Sequence, residues 1–261
     1  DDPTTKRLEK GVSNLIHHNT ASFLHFVERF IAGEKIHMDT AYQTYTIMLY
    51  YALFQDRISK TGYSSINEAL ESIHSPQYAC FKQEIMEIVS YLLSRLDIKT
   101  TPIADDIIPG LELYGCYTRE EVFTLAGRQT ADVRMRGAAS GVFFLQELNA
   151  TLLFVTLNKS EKDFSPTTQY NDYLINEEYF HWQSRNTDSH NNKGGRHYTE
   201  QPETKNKIIL FVREEKKDGF GNTSPFHCFG LVDYISSHGD CPMNITWKLQ
   251  KPAMAQYLRV V

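Results

Sequence analysis

The spacing of apolar residues changes character once along this chain of 261 residues, and that change constrains the fold more than any other feature. Up to about residue 97, apolar side chains recur every three or four positions, the period of a helix with one buried face. Leu8, Val12, Leu15, Ile16, Phe23, Phe26, Val27 and Phe30 do so across 8–32, and Gly33 is placed to stop that helix. Residues 40–56 ("TAYQTYTIMLYYALFQD") are apolar on nearly every side, as in a helix buried in a bundle. Ser65 and Glu68 have capping-box spacing. Ser75-Pro76 predicts an N-cap with proline in the first turn, ahead of a face made by Phe81, Ile85, Ile88, Val89, Leu92 and Leu96. Residues 97–115, with two prolines, two glycines and no period, read as a linker. Thr118 and Glu121 then predict a second capping box, and Gly127 ends one short helix. The rest is strand. "GVFFLQEL" and "TLLFVTLN" flank a turn at Asn149-Ala150, and "NKIILFVRE", "FHCFGLVDYI" and "MNITWKLQ" follow. The expectation is an α+β chain with an α-helical coupler over 1–110. A small β-barrel or sandwich with one short helix is expected over 111–261.

Composition narrows the function. The net charge of −5 argues against bulk polyanion binding, yet it is uneven: residues 1–112 hold ten Lys and Arg against fifteen Asp and Glu, and 113–261 hold seventeen of each. Four scattered cysteines fit a reducing cytoplasm. No apolar run approaches the ~18 residues of a membrane span. The chain opens on Asp rather than Met, as expected of a piece of a longer polypeptide. No Walker loop, GxSxG elbow or HExxH is present. His227, Cys228, His238 and Cys241 fit no standard zinc spacing, and Asp172 with His181 lacks an accompanying nucleophile. No catalysis, metal or cofactor is expected of this chain.

The stretch "QYNDYLINEEYFHWQSRN" (169–186) sets flat rings among polar hydrogen-bonders. A protein that reads a base outside the double helix needs that mixture: rings replace lost stacking, and an acceptor tests the base edge. Tyr170, Asp172, Tyr173, Trp182, Gln183 and Ser184 are the candidates, and rings on a half-buried strand also serve as core. Phe180 should share a face with Trp182, and His181 should point the other way. Arg128, Arg134 and Arg136, beside the small residues 137–140, read either as a phosphate track or as a solvated loop. Arg185, Lys193 and Arg196 lie in "SRNTDSHNNKGGRHY", which reads as a finger entering the duplex or as a plain surface loop.

Tyr170, Asn171-Asp172, Trp182 twelve residues on, Gln183-Ser184 and then Gly194-Gly195-Arg196 resemble the base pocket of SRA domains, which flip 5-methylcytosine from duplex DNA. That resemblance implies an SRA-like, PUA-type barrel, with Tyr170 and Trp182 sandwiching the base and Asp172 accepting from its amine. "YTREEVFTLAG", the long block through "FHWQSRN", "GGRHY" and "KIILFVRE" resemble the domain of unknown function that ends many bacterial superfamily II helicases carrying a phospholipase-D-type nuclease. SauUSI-type, modification-dependent type IV restriction enzymes belong to that group. The resemblance implies a target-recognition module for 5-methylcytosine and 5-hydroxymethylcytosine in double-stranded DNA. Its helicase and nuclease, the ATP-dependent parts of this bacterial defence, would lie elsewhere in the polypeptide. A reader of modified RNA and a coupler that only docks protein are the alternatives.

Overall fold

The computed structural model describes residues 2–34, 40–103, 106–135, 141–159 and 171–258. The chain parts into two compact units, 1–138 and 139–261. The stretch 111–138, grouped with the strands above, packs within the first unit.

Asp2 caps α1 (Pro3–Gly11) by accepting from the backbone N–H groups of Thr4 and Thr5. The single helix expected over 8–32 is interrupted: α1 passes into a 3₁₀ turn (Val12–Leu15), and α2 (Ala21–Ile31) begins after a polar break. The break has a tertiary cause. Asn19 donates to the Tyr114 carbonyl at 3.0 Å and accepts from the Cys116 N–H at 2.7 Å, while His17 and His18 both face Glu121. An unbroken helix would spread these neighbouring side chains around its axis. α3 (Thr40–Phe54) buries Met48, Leu49, Tyr50, Leu53 and Phe54. A Cβ on Gly11 would lie 2.3 Å from the Leu53 carbonyl oxygen, so α1 approaches α3 closely.

Ser65 caps α4 (Ile66–Glu71) as its spacing predicts, although the Glu68 carboxylate reaches back to Ser64 rather than to Ser65. α5 (Ala79–Ser94) is entered through a 3₁₀ turn at Pro76–Tyr78. The expected linker is packed: β1 (Thr101–Pro102) pairs antiparallel with β2 (Glu112–Leu113), and Ile103, Ile108 and Leu111 are buried. β3 (Cys116–Tyr117) leads to α6 (Arg119–Leu125), whose Thr118–Glu121 capping box is complete. Gly127, at φ +70°, closes its C-terminal end.

The second unit holds β4 (Val142–Leu145), β5 (Ala150–Asn158), β6 (Tyr173–Leu174), β7 (Tyr179–Gln183), α7 (Lys193–Thr199), α8 (Gln201–Thr204), β8 (Lys207–Glu215), β9 (Phe226–His238) and β10 (Asn244–Leu249). β4 and β5 are joined through a 3₁₀ turn and a left-handed Asn149, a conformation Asn tolerates. The strands lie side by side in the order β4-β5-β8-β9-β10-β7-β6, antiparallel except at β5–β8. β8 is buried from Ile208 to Arg213.

The sheet is not closed into a barrel, which corrects the SRA-like, PUA-type expectation. Closure requires the two end strands to pair with each other along a staggered seam. Here those strands are β4, with four residues, and β6, with two, and among the described residues no pairing joins them.

Candidate nucleic-acid interface

β7 and β10 alternate strictly, and their pairing sorts every side chain onto one of two faces. Opposite each other on the inner face stand Phe180 and Trp247, then Trp182 and Ile245. Trp182 is 6% exposed; its ring meets Tyr198 edge-on at 5.1 Å and Trp247 at 6.2 Å. Tyr234 of β9 closes on Trp247 at 6.1 Å. Trp182 is therefore part of an aromatic core, and Phe180 shares its face.

The paired positions of the outer face are polar, with Ile235 exposed at a bulge beside them. Tyr173, His181, Thr246 and Ser236 form one row across β6, β7, β10 and β9; Gln183, Asn244 and His238 form the next. Tyr179, Lys248 and Asp233 make a third, because a bulge at Ile235 shifts β9 by one residue between the rows. Tyr173 is 44% exposed and stacks on the His181 ring, centroids 4.6 Å apart and planes within 16°. His181 lies beneath it and donates through Nδ1 to the Asn171 carbonyl at 2.9 Å. Gln183 accepts from the Asn171 N–H at 2.6 Å and donates to Asn244 Oδ1 at 3.0 Å. The result is an open platform: the exposed Tyr173 ring, two linked amides, two hydroxyls and, at its margins, His238, Tyr179, Asp233 and Lys248.

Asp172 does not open onto this platform. It is 6% exposed, pairs with Lys159 at 2.5 Å, and accepts from the Gln183 N–H at 2.8 Å. Burial pushes its carboxyl up, while the Lys159 charge opposes that rise. With both oxygens occupied, Asp172 ties edge strand β6 to β7 and to the end of β5. Ser184 is fully buried, and its Oγ accepts from the Met243 N–H at 3.0 Å, extending the β7–β10 pairing. Tyr170 and Arg136 lie outside the described residues.

The basic candidates divide between the units. Arg134 pairs with Glu120 at 3.1 Å and lies 5.8 Å from the Tyr51 ring, and Arg128 is half-buried, both in the first unit. In the second, Arg185 is held by both oxygens of Asp188, at 2.9 and 3.1 Å. Lys193 and Arg196 are exposed on α7, with Arg196 3.8 Å from Glu200. The segment read as a finger or loose loop is packed instead. Asp188 is 2% exposed, His190 bonds Asp240 and Ser237, and Asn192 caps α7 by accepting from the Gly195 N–H at 3.0 Å.

His227 and Cys228 stand near one end of β9 and His238 at the other, ten residues and about 33 Å away along an extended strand. No single ion spans that distance. His227 instead lies 2.6 Å from the Tyr257 hydroxyl.

Asn244, Thr246 and Ser236 were not singled out from sequence, and His238 was weighed only as a metal ligand. For Asn244 and Thr246 the signal was the alternation in "NITWKL", which sets two faces apart without naming the outer one.

Residues 111–259 match the sequence profile of a domain of unknown function, DUF3427. The chain belongs to that family. The DUF3427 match takes in α6 and all seven strands of the second unit, so the polar platform is part of the family's own region. His17 and His18 precede the DUF3427 boundary, whereas Glu121 lies within it. No curated protein matches the chain, and the DUF3427 match alone ties it to no helicase or nuclease.

Proposed function

We propose that this DUF3427 chain is a DNA-binding target-recognition module that reads a 5-modified cytosine turned out of the duplex. It would direct a helicase–nuclease of the SauUSI type within a longer polypeptide. The observation that carries this reading is the open outer face of β6, β7, β10 and β9, with polar side chains in every row and an exposed tyrosine ring at its β6 edge. A base out of its stack needs a flat partner and hydrogen-bonders in its own plane. Tyr173 supplies the ring, backed by His181. Gln183 and Asn244 supply amides that both donate and accept, and Thr246 and Ser236 supply hydroxyls. Asp172, Trp182 and Ser184 act beneath as positioning residues, and Lys248, Lys193 and Arg196 are cations available to phosphates.

The test is a titration of the whole chain against a short duplex with one central cytosine, unmodified or 5-methylated, at physiological salt. The methylated duplex should bind roughly tenfold tighter or more, comparable to the ~1–3 kcal/mol that one wrong base pair costs a specific site. Tyr173→Ala should erase that difference without lowering the melting temperature, since the ring is exposed. Equal affinity for both duplexes would defeat the reading, and an RNA strand that competes as well as DNA would transfer it to RNA.

A further inference from the structure

A second cluster lies in the helical unit, where the polar break between α1 and α2 meets the first turn of α6. His17 Nε2 stands 2.9 Å from Glu121 Oε2, and His18 Nε2 stands 3.3 Å from Glu121 Oε1. The three donor sets lie within 4.8 Å of one another. His18 is 2% exposed, and neither of its ring nitrogens has a hydrogen-bond partner, although Nε2 points at the carboxylate. A buried imidazole with two unsatisfied nitrogens is costly in a hydrogen-bonded interior. Glu121 is 8% exposed and already accepts from the Thr118 N–H at 2.7 Å.

We propose that His17, His18 and Glu121 form a binding site for a divalent transition metal of the zinc class. Two imidazoles and one carboxylate are a donor set that zinc takes, with water or another group completing a tetrahedron. The spacing agrees. Donors about 2.05 Å from one ion and at the tetrahedral angle stand about 3.3 Å apart, the distance between His18 and Glu121. The 2.9 Å approach of His17 needs to open by only a few tenths of an ångström. The ion would join the segment before α2 to the start of α6, fastening residues outside the family's boundary to residues inside it.

The experiment uses the whole, tag-free chain stripped with a chelator and titrated with Co²⁺ alone and then with Zn²⁺ alone. We expect one equivalent of Co²⁺ to give the visible d–d absorption of a four-coordinate site, Zn²⁺ to bleach it, and either ion to raise the melting temperature by several degrees. His17→Gln should lose the absorption and the shift while keeping the metal-free melting temperature, because His17 is partly exposed. Should that variant fail to fold, His18→Asn supplies the same comparison. No absorption and no thermal shift in the unaltered chain, or signals unchanged in a folded variant, would overturn the site and leave only the His17–Glu121 hydrogen bond beside a buried His18.

Discussion

Burial holds the His227 imidazole at about 4, well below its usual value near 6.5. Its sign on stability follows directly. Between these two values the unfolded chain takes up a proton that the folded chain refuses, so lowering the pH through that window favours unfolding. Above the window the effect is fully expressed as stability and stays constant. A shift of this size corresponds to about 3 kcal/mol at most, and partial solvent access to the ring brings it nearer ~2 kcal/mol. Urea unfolding at pH 7.5 and pH 5.0 should therefore show a clear loss of stability on the acid side. In His227→Gln that loss should shrink by about 1–2 kcal/mol. An unchanged loss would move the effect to His18 and His197, whose imidazoles burial also holds low.

At the scale of the element, α7 shows what sequence could and could not convey. The "KGG" at its start looks like loose chain, yet both glycines are there for contact. A Cβ at Gly195 would lie 2.0 Å from the Ser189 carbonyl oxygen and 2.6 Å from Met243 Sδ, and one at Gly194 would lie 2.3 Å from Asp188 Oδ1. Gly195→Ala should destabilise the protein by roughly 2–3 kcal/mol, the upper range for an overpacked interior. Gly219→Ala, which meets nothing within 4 Å, should stay within about 0.5 kcal/mol. Equal unfolding midpoints for the two variants would mean that the segment yields freely. Local signals were legible where the cause was local: the Thr118–Glu121 box, the Gly127 stop, the buried run of β8 and the alternation of β7 all appear in the structure. What sequence left hidden depends on distant partners. Which face of β7 turns inward is settled by Trp247 and Tyr198, and the break before α2 by Tyr114, Cys116 and Glu121. The two-residue length of β6, which leaves the sheet open, has no sequence signal of its own.

For the whole molecule, the family boundary and the packing boundary differ. The match begins at residue 111, whereas the first compact unit runs to 138. Within that unit α6 buries Val122, Phe123 and Leu125 and packs against α3. The chain after α6 is held there as well: the Tyr51 hydroxyl donates to the Thr130 carbonyl at 2.6 Å, and the Ile58 N–H to the Ala131 carbonyl at 3.1 Å. A fragment cut at 111 keeps these residues and loses the helices that cover them. Three apolar side chains at about 1.5–3 kcal/mol each amount to several kcal/mol of burial removed. Residues 111–261 should therefore bind a hydrophobic dye and melt well below the whole chain, although the cut follows the family's own limits. A dye-silent fragment with the melting temperature of the whole chain would show that α6 needs no cover from the helical unit. Partners would then be free to separate the family's region from the helices before it. Dye binding with early melting would make residues 1–110 an obligatory part of the folded domain, not an appendage to it.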